Sequence, residues 1–210
     1  MKLCYVTDRR AMPGTPEAQI RLLLEKIESA ARAGVDWIQI REKDLDARRL
    51  AALVQQAKSR VGRTCQILVN DRLDVALAAG ADGVHLGENS LPVAEVRRYL
   101  REHTKGRRQF SLGVSTHALQ SAQEAEANGA DYAIFGPVFA TPSKLQYGPP
   151  RGLKELAAAC KLVSIPVVAI GGITLRNAHE CAEAGAAGIA AIRLFQDGDT
   201  ADVVSRLRSK

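Results

Sequence analysis

The sequence predicts an α/β fold, a single-domain (βα)8 TIM barrel, from three observations. Short apolar runs alternate with helical patterns along all 210 residues, a glycine-containing unit recurs four times, and no linker rich in Pro, Gly or Ser interrupts the chain. Strict alternation of strand and helix favours a parallel sheet covered by helices, and eight such units favour a closed barrel. An open doubly wound sheet, the alternative, normally has fewer strands and a glycine-rich first turn, which the segment "VTDRRAMPG" lacks.

The recurring unit supplies four of the eight predicted strands. It reads "AGVDWIQIRE" from Ala33, "AGADGVHLGE" from Ala79, "NGADYAIFGP" from Asn128 and "AGAAGIAAIR" from Ala184. In each copy a glycine follows a helical pattern, as it does at helix ends that adopt the left-handed conformation, and an apolar run comes next. The other four strands are predicted at residues 3–8, 66–71, 110–115 and 166–172, which read "LCYVTD", "QILVND", "FSLGVS" and "PVVAIGG".

Helical patterns fill the intervals between the strands. They are predicted at residues 16–33, 47–60, 72–79, 93–101, 118–128, 153–162, 175–184 and 201–208. Since a helix follows each strand and no linker divides the chain, we predict one domain over residues 1–210.

The composition excludes several classes of function. Apolar residues make up 46% and charged residues 25% of the chain, which is typical of globular proteins. No apolar run approaches the roughly 20 residues that span a bilayer, and the start of the chain has no signal-peptide pattern. The net charge of +6 is modest and aromatic residues are 4%, so there is little surface for binding nucleic acid. We therefore expect a cytoplasmic protein with neither a membrane nor a nucleic acid as a partner.

The segment "QIREKD" ends the second predicted strand with charged side chains. In a (βα)8 barrel, functional residues lie at the C-terminal ends of the strands. Because side chains alternate along a strand, Gln39, Arg41 and Lys43 would share one face and point together at the barrel mouth. Unpaired cations are costly to bury, so they would bind either an anionic substrate or protein carboxylates such as Asp8 and Asp71.

Two further strand ends have features of a phosphate site. Gly171 and Gly172 follow the seventh strand, where glycine lets backbone N–H groups approach an oxyanion. A glycine pair is also common in tight turns. Arg193, at the end of the eighth predicted strand, supplies a cation and strengthens the phosphate interpretation.

Other polar residues near the strand ends have two interpretations each. Asp71 is a hard oxygen ligand suited to Mg²⁺, or an N-cap for the helix that follows. Lys144, in a loop bounded by Gly and Pro, is either a cation that closes over the site or a solvated lysine. His117 is an acid/base group near neutral pH or a helix-start residue, and His85 is more typical of a packed histidine in a strand.

Five motifs occur in order along nearly the whole chain. They are "QIREK", "VNDRLDVALAAGADGVHLG", "GVSTH", "GADYAIFGPVFATPSK" and "VVAIGGIT". Together they resemble the motifs of the thiamine phosphate synthase and TenI-type thiazole tautomerase superfamily. The resemblance implies an enzyme that joins hydroxymethylpyrimidine diphosphate to thiazole phosphate, forms thiamine phosphate and releases diphosphate. It also implies Mg²⁺ as the cofactor and small phosphorylated substrates as partners, with a homodimer as a possible assembly.

The resemblance assigns a role to each residue that matches a family motif. For the diphosphate these residues are Gln39, Arg41, Lys43 and Asn70. Lys144 would neutralise the leaving diphosphate, Asp71 would bind Mg²⁺, and Ser115 would line the pyrimidine site. For the thiazole phosphate the residues are Thr141, Ser143, Gly172, Ile192 and Arg193.

Three positions depart from the pattern that the resemblance implies for a synthase. Ser90 stands where a second carboxylate for Mg²⁺ is expected, and Glu88 is a candidate substitute two residues earlier. The loop motif reads "TPSK", in which Ser143 keeps a hydroxyl. Arg193 stands where a small residue is expected, so it would either clamp a phosphate or block one.

A thiazole tautomerase is the first alternative to the synthase. Ser90 fits it better, because an isomerase of this kind needs a phosphate site and an acid/base group but no metal. The position of the tautomerase histidine is occupied by Pro137, which leaves His117 as the candidate base. We predict the synthase, with the tautomerase or a non-catalytic binder of thiamine intermediates as alternatives.

Overall fold

The computed structural model describes residues 1–63, 65–103, 110–141 and 149–209. Within these ranges eight parallel strands follow one another in chain order around a closed barrel, and the last strand pairs with the first. The strands are β1 (Lys2–Val6), β2 (Trp37–Ile40), β3 (Gln66–Asn70), β4 (Gly83–Leu86), β5 (Ser111–Thr116), β6 (Tyr132–Phe135), β7 (Val167–Ile170) and β8 (Gly188–Ala191). The predicted (βα)8 barrel is confirmed.

Helices follow the strands on the outside of the barrel. They are α1 (Pro16–Ala33), α2 (Ala47–Val61), α3 (Leu73–Ala78), α4 (Val93–His103), α5 (Leu119–Ala127), α6 (Gly152–Leu162), α7 (Ala178–Glu183), α8 (Arg193–Gln196) and α9 (Thr200–Arg208). A 3-10 turn, Arg9–Ala11, also follows β1. Helix α1 has the predicted bounds, and the other predicted helices differ by one to three residues at their ends. None of the helices described is long and apolar enough to cross a membrane.

The chain after β8 differs from the prediction. The strand ends at Ala191, so the prediction that Ile192 and Arg193 end it is wrong, and Arg193 instead begins the short helix α8. The backbone N–H of Phe195 bonds to the carbonyl of Ile192 at 3.1 Å, which closes a helical turn. That turn buries Phe195 completely, with its ring centroid 6.3 Å from that of Tyr5, and leaves Arg193 exposed. Burial of one aromatic ring thus accounts for the helix.

Two apolar layers hold the barrel together. The larger layer lies between the strands and the helices, and the smaller one consists of side chains that the strands turn inward. The inward-facing residues are Cys4, Val6, Leu68, Tyr132, Ile134, Val168 and Ala190. Gly113 makes room for the Tyr132 ring, because a Cβ at position 113 would overlap it. The interior is therefore a packed core, and a binding site has to lie above it at the barrel mouth.

Aspartates of the recurring unit fasten the N-terminal end of the barrel. In three copies the carboxylate accepts a hydrogen bond of 2.7–2.8 Å from a backbone N–H of the preceding strand. The pairs are Asp36 with Leu3, Asp82 with Ile67, and Asp131 with Leu112. The fourth copy has Ala187 at this position. Each aspartate thus joins the loop before one strand to the beginning of its neighbour.

Replacing Asp82 with alanine is expected to destabilise the protein by about 2–3 kcal/mol. The buried carboxylate accepts hydrogen bonds from the Ile67 N–H at 2.8 Å and from Lys58 Nζ at 2.7 Å, so both donors lose this acceptor. Asp74→Ala is the control, because it removes an exposed carboxylate paired with Arg72 and should cost less than about 0.5 kcal/mol. Chemical denaturation measures both effects, and equally small changes would contradict the fastening role of Asp82.

Candidate active site

The end of β2 presents three of the predicted residues in three different environments. Gln39 lies within the strand and is buried, Arg41 is half-buried just after it, and Lys43 is exposed in the following turn. The strand ends at Ile40, so the alternation used to align these residues does not extend to Arg41 and Lys43. In the described ranges, neither cation forms an ion pair with a carboxylate. Close ion pairs with carboxylates are thus absent for both cations in these ranges, although the charge of Lys43 acts on Asp71 and lowers its pKa.

Asp71 directs its carboxylate across the barrel mouth toward the loop after β4. Its Oδ1 accepts hydrogen bonds from the Gly87 N–H at 2.8 Å and from the Ser90 hydroxyl, and its Oδ2 accepts one from Asn70 Nδ2 at 2.7 Å. The residue has a φ of 63°, a left-handed conformation that is uncommon outside glycine. The N-cap interpretation is wrong, because α3 begins after Arg72 without a side-chain cap.

The pKa of Asp71 lies below its ordinary value. Burial alone would raise this pKa, but the hydrogen bonds from Ser90, Gly87 and Asn70, together with the charge of Lys43, outweigh the burial. The side chain is therefore an ionised acceptor at neutral pH, held between β3 and the loop that follows β4.

The charge of Asp71 fixes the orientation of two neighbouring amides. A carboxylate only accepts hydrogen bonds, so Asn70 must present its Nδ2 to Asp71 and its Oδ1 to the other side. Gln39 donates its Nε2 to that Oδ1 at 3.0 Å. The Gln39 Oε1 is left buried and receives no hydrogen bond from the described residues. Gln39 thus has an unsatisfied acceptor in Oε1 and a second Nε2 hydrogen that can still donate, so the diphosphate role stays a prediction.

The loop after β4 separates Ser90, which stands where a second metal carboxylate is expected, from Glu88, its candidate substitute. The Ser90 hydroxyl bonds to Asp71 and also accepts the Gly87 N–H at 2.7 Å. Glu88 is exposed, and its Oε2 lies 4.0 Å from His117 Nε2. Ser90 therefore belongs to the Asp71 cluster, and Glu88 faces His117.

His117 connects the ends of β5 and β6. Its Nδ1 bonds to the backbone carbonyl of Gly136, which can only accept, so Nδ1 carries the proton and Nε2 faces Glu88. Helix α5 begins two residues later, at Leu119. His117 therefore lies just before the helix, as the second interpretation expected, and its acid/base role stays a prediction.

His85 is the polar residue near the mouth that the sequence predicted to be a packed histidine. It is buried in β4, with Nε2 at 2.9 Å from Ser115 Oγ and Nδ1 at 3.2 Å from the Tyr132 hydroxyl. Burial lowers the pKa of His85 to about 4, so the imidazole is neutral at physiological pH. It is packed, as predicted, but it also holds Ser115, the residue expected in the pyrimidine site. The polar residue in the otherwise apolar β4 was the sequence signal for this contact.

The predicted phosphate site lies where β7 and β8 end. Gly171 and Gly172 have φ values of 98° and 64°, and a Cβ on either one would overlap the loop after β6. The tight-turn interpretation thus accounts for both glycines. In the described part of the chain, the N–H groups of Gly172, Ile173 and Ile192 donate no hydrogen bonds, so they remain free to bind an oxyanion. Arg193 is exposed beside them, at the beginning of α8.

The loop after β6 carries the remaining predicted residues. Thr141 is buried at its beginning. Ser143 and Lys144 lie outside the described residues. No cluster of three or more His, Cys, Asp or Glu able to hold a metal occurs in the described ranges. A metal at Asp71 would thus need oxygen ligands from a hydroxyl or a substrate.

The chain matches a protein-family model described as thiamine monophosphate synthase over residues 3–195. It is 42% identical to the thiamine-phosphate synthase of Roseiflexus castenholzii over 189 residues, which cover 89% of this chain and 77% of that protein. A Geobacter sulfurreducens protein with a provisional assignment as a thiamine-phosphate synthase is 47% identical over 191 residues. The match covers 90% of this chain and 84% of that protein. The solved structure of thiamine phosphate pyrophosphorylase from Pyrococcus furiosus superposes with a TM-score of 0.83 and 33% identity, covering 99% of this chain and 93% of that one.

The lowered pKa of His85 predicts a pH-dependent stability. Histidine in the unfolded chain titrates near pH 6.5, whereas folded His85 stays neutral down to about pH 4, so protons favour the unfolded state between these values. The free energy of unfolding should therefore fall as the pH drops from about 6.5 to 4, with up to about 1.4 kcal/mol per pH unit due to His85.

Urea denaturation between pH 4 and pH 7 measures this slope. His85→Gln should flatten it, while the control His103→Gln, at an exposed position, should leave it in place. An unchanged slope in the His85 variant would contradict the assignment.

Proposed function

The chain belongs to the thiamine monophosphate synthase family, and we propose that it joins hydroxymethylpyrimidine diphosphate to thiazole phosphate, forming thiamine phosphate and diphosphate. The observation that carries the proposal is the pair of cations Arg41 and Lys43, which form no close ion pair with a carboxylate in the described ranges, near the ionised Asp71. Cations without partners at a barrel mouth fit a highly charged anion such as a diphosphate.

The chemical difficulty of this reaction is the charge of the departing diphosphate. A carbon–oxygen bond to the diphosphate breaks while a carbon–nitrogen bond to the thiazole forms, so negative charge accumulates on the leaving group. Arg41 and Lys43 stabilise that charge from the end of β2, and Lys144 does so from the loop after β6. Preorganised cations near the developing charge usually make the largest contribution to lowering the activation free energy of such a step. Asn70 retains one amide hydrogen that can donate to the same group.

The pyrimidine is bound, in this proposal, by the groups that Asp71 and His85 orient. The buried Oε1 of Gln39, which receives no hydrogen bond from the described residues, accepts one from the amino group of the pyrimidine, as an alternative to the diphosphate role predicted for Gln39. Ser115, held by the neutral His85, supplies a hydroxyl on the opposite side of the mouth. Pairing a buried acceptor with a ligand N–H removes the cost of leaving it unsatisfied.

The residues around Asp71 fit a Mg²⁺ ion. Mg²⁺ takes one or two carboxylates and completes its shell with water and phosphate oxygens, and Asp71 with the hydroxyl of Ser90 supplies such a partial set. When bound, the ion would neutralise part of the diphosphate charge. Glu88 faces His117 and has no part in this proposal.

The thiazole phosphate is bound at the ends of β7 and β8. The free N–H groups of Gly172 and Ile192 contribute donors, and Arg193 contributes a cation. Thr141 and Ser143 supply hydroxyls from the loop after β6. This arrangement places the two substrates on opposite sides of one mouth, as a reaction between them requires.

The tautomerase alternative has less support. Its candidate base, His117, has its Nδ1 proton bound to the Gly136 carbonyl and its Nε2 beside Glu88. It offers no role for the unpaired Arg41 and Lys43, and the relatives named above are synthases. A non-catalytic binder would use the same residues without turnover.

We also propose that residues 1–210 form one domain that acts in the cytoplasm on small phosphorylated substrates, without nucleic acid and with a homodimer as a possible assembly. The closed barrel supports the single domain, because all eight strands are needed to close it.

The decisive experiment mixes the purified protein with hydroxymethylpyrimidine diphosphate, thiazole phosphate and Mg²⁺. Thiamine phosphate, detected by the fluorescence of its oxidised form, should appear with an equal amount of diphosphate. Chelation of Mg²⁺ should stop the reaction. Binding of thiazole phosphate without product would favour the non-catalytic binder, and turnover of a thiazole carboxylate phosphate instead would favour the tautomerase.

Arg41→Ala is expected to lower kcat by roughly 10²–10³-fold, because it removes one preorganised cation from the leaving group. The dissociation constant of thiazole phosphate, bound at the other side of the mouth, should change by less than about twofold. Arg48→Ala, at an exposed position of α2, is the matched control and should retain the wild-type rate. A fully active Arg41 variant in steady-state assays would refute the diphosphate clamp.

Gln39→Met is expected to raise KM for the pyrimidine diphosphate about tenfold, because it removes the acceptor for the amino group while Asn70 stays bonded to Asp71. The affinity for inorganic diphosphate, measured by calorimetry, should change by less than about twofold. If both affinities fell together, the diphosphate role first predicted for Gln39 would be correct.

A further inference from the structure

A buried carboxylate lies between the two cations that follow β2 in the chain. Glu42 lies between Arg41 and Lys43 in the chain but is only 4% exposed and turns away from the mouth. It accepts hydrogen bonds from the Thr7 hydroxyl at 2.6 Å, from Arg9 Nη1 at 3.0 Å and from the Arg9 backbone N–H at 3.1 Å. Glu42 thereby joins the loop after β2 to the end of β1.

Arg9 is a further cation near the mouth, and its charge is already paired with protein carboxylates. Its side chain is 6% exposed, and its Nη1 and Nη2 each lie 2.7 Å from an oxygen of Asp44 in addition to the Glu42 contact. Asp44 is partly exposed, and the hydrogen bond with Arg9 lowers its pKa to about 2. Arg9 therefore fixes the residues on both sides of Lys43 rather than binding an anion itself.

Thr7 extends the same network to the backbone of β2. Its N–H donates to the Gln39 carbonyl at 3.0 Å, and its hydroxyl oxygen accepts the N–H of Arg41 at 3.0 Å while donating to Glu42. Thr7 is fully buried. Backbone pairing between β1 and β2 stops where β2 ends, at Ile40. Beyond that point the Thr7 hydroxyl, a side-chain group, holds the two segments together.

We propose that Thr7, Glu42 and Arg9 are positioning residues for diphosphate binding, because they hold Arg41 and Lys43 in the orientation that the anion needs. The inference rests on the proposed function and extends it. Long cationic side chains on a loop lose conformational freedom when they bind, and a loop fixed in advance reduces that loss. Removing the network should weaken diphosphate binding without removing a single group that touches the diphosphate.

The test compares Thr7→Val with Thr7→Ser by calorimetry, with inorganic diphosphate and Mg²⁺ as the probe. Valine keeps the shape of threonine but loses the hydroxyl, so the dissociation constant should rise about tenfold. Serine keeps the hydroxyl and should stay within about twofold of the wild type. The affinity for thiazole phosphate should be unchanged in both variants, which a general loosening of the fold would not allow.

Thr200→Val is the matched control. Thr200 is a buried threonine whose hydroxyl donates to the Phe195 carbonyl at 2.9 Å, so its replacement removes one buried hydroxyl bond between α9 and α8 rather than a bond to the loop after β2. It should lower stability to a similar extent as Thr7→Val and leave diphosphate affinity unchanged. Wild-type affinity in Thr7→Val, or an equal loss in Thr200→Val, would overturn the proposal.

Asp44→Asn provides a second variant that does not disturb the buried core, in case Thr7→Val fails to fold. It weakens the bidentate contact that holds Arg9, and the diphosphate dissociation constant should rise by about two- to threefold at low salt. An unchanged constant would overturn the proposal.

Wild-type protein that binds diphosphate but forms no thiamine phosphate would refute the proposed function alone, because the variants still test the positioning of Arg41 and Lys43. Wild-type protein that binds no diphosphate would refute both.

Discussion

The buried ion pair between Arg9 and Glu42 is the contact on which the geometry of the barrel mouth depends. Taking two charges out of water is costly, and such a pair persists only where further hydrogen bonds satisfy both groups. Thr7 and Asp44 provide such bonds, although Arg9 Nε finds no acceptor among the described residues, and Thr7 at the same time holds the backbone N–H of Arg41. The ion pair therefore contributes geometry more than stability, because it joins β1 to β2 beyond the point where their backbone pairing ends.

The negative charge of Asp71 determines which atoms of its neighbours face a ligand. An ionised carboxylate accepts only, so Asn70 must donate to it, and Gln39 must then donate to Asn70. The result is an unsatisfied acceptor at Gln39, two residues along the network from the charge that caused it. A neutral residue at position 71 would leave both amides free to turn, and the mouth would lose this discrimination between donors and acceptors.

The two ends of the barrel separate stability from the proposed chemistry. At the N-terminal end, aspartates of the recurring unit are satisfied by backbone N–H groups and by cations such as Lys58. At the C-terminal end, an acceptor and backbone N–H groups are left without hydrogen-bond partners in the described ranges, and Arg41 and Lys43 form no close ion pair there. Because position 90 is a serine, Asp71 is not joined by a second carboxylate there. A single carboxylate suits a Mg²⁺ ion that substrate oxygens also bind.

The sequence by itself determined the barrel, since strand–helix alternation and glycine-terminated helices are local patterns, and eight repeats leave few ways to bury the apolar faces. It also predicted Arg41, Lys43, Asp71 and the glycines after β7 as candidate site residues, because charged residues and glycines at strand ends stand out from apolar runs. Tertiary structure alone decided the roles of Gln39, Glu42 and His85, whose hydrogen-bond partners come from other strands of the barrel. It also decided that α8 follows β8, because burial of Phe195 against the rest of the molecule overrides the extended pattern of the preceding residues. Sequence patterns report which face of an element is buried, but the donor or acceptor that a side chain meets depends on residues far away in the chain.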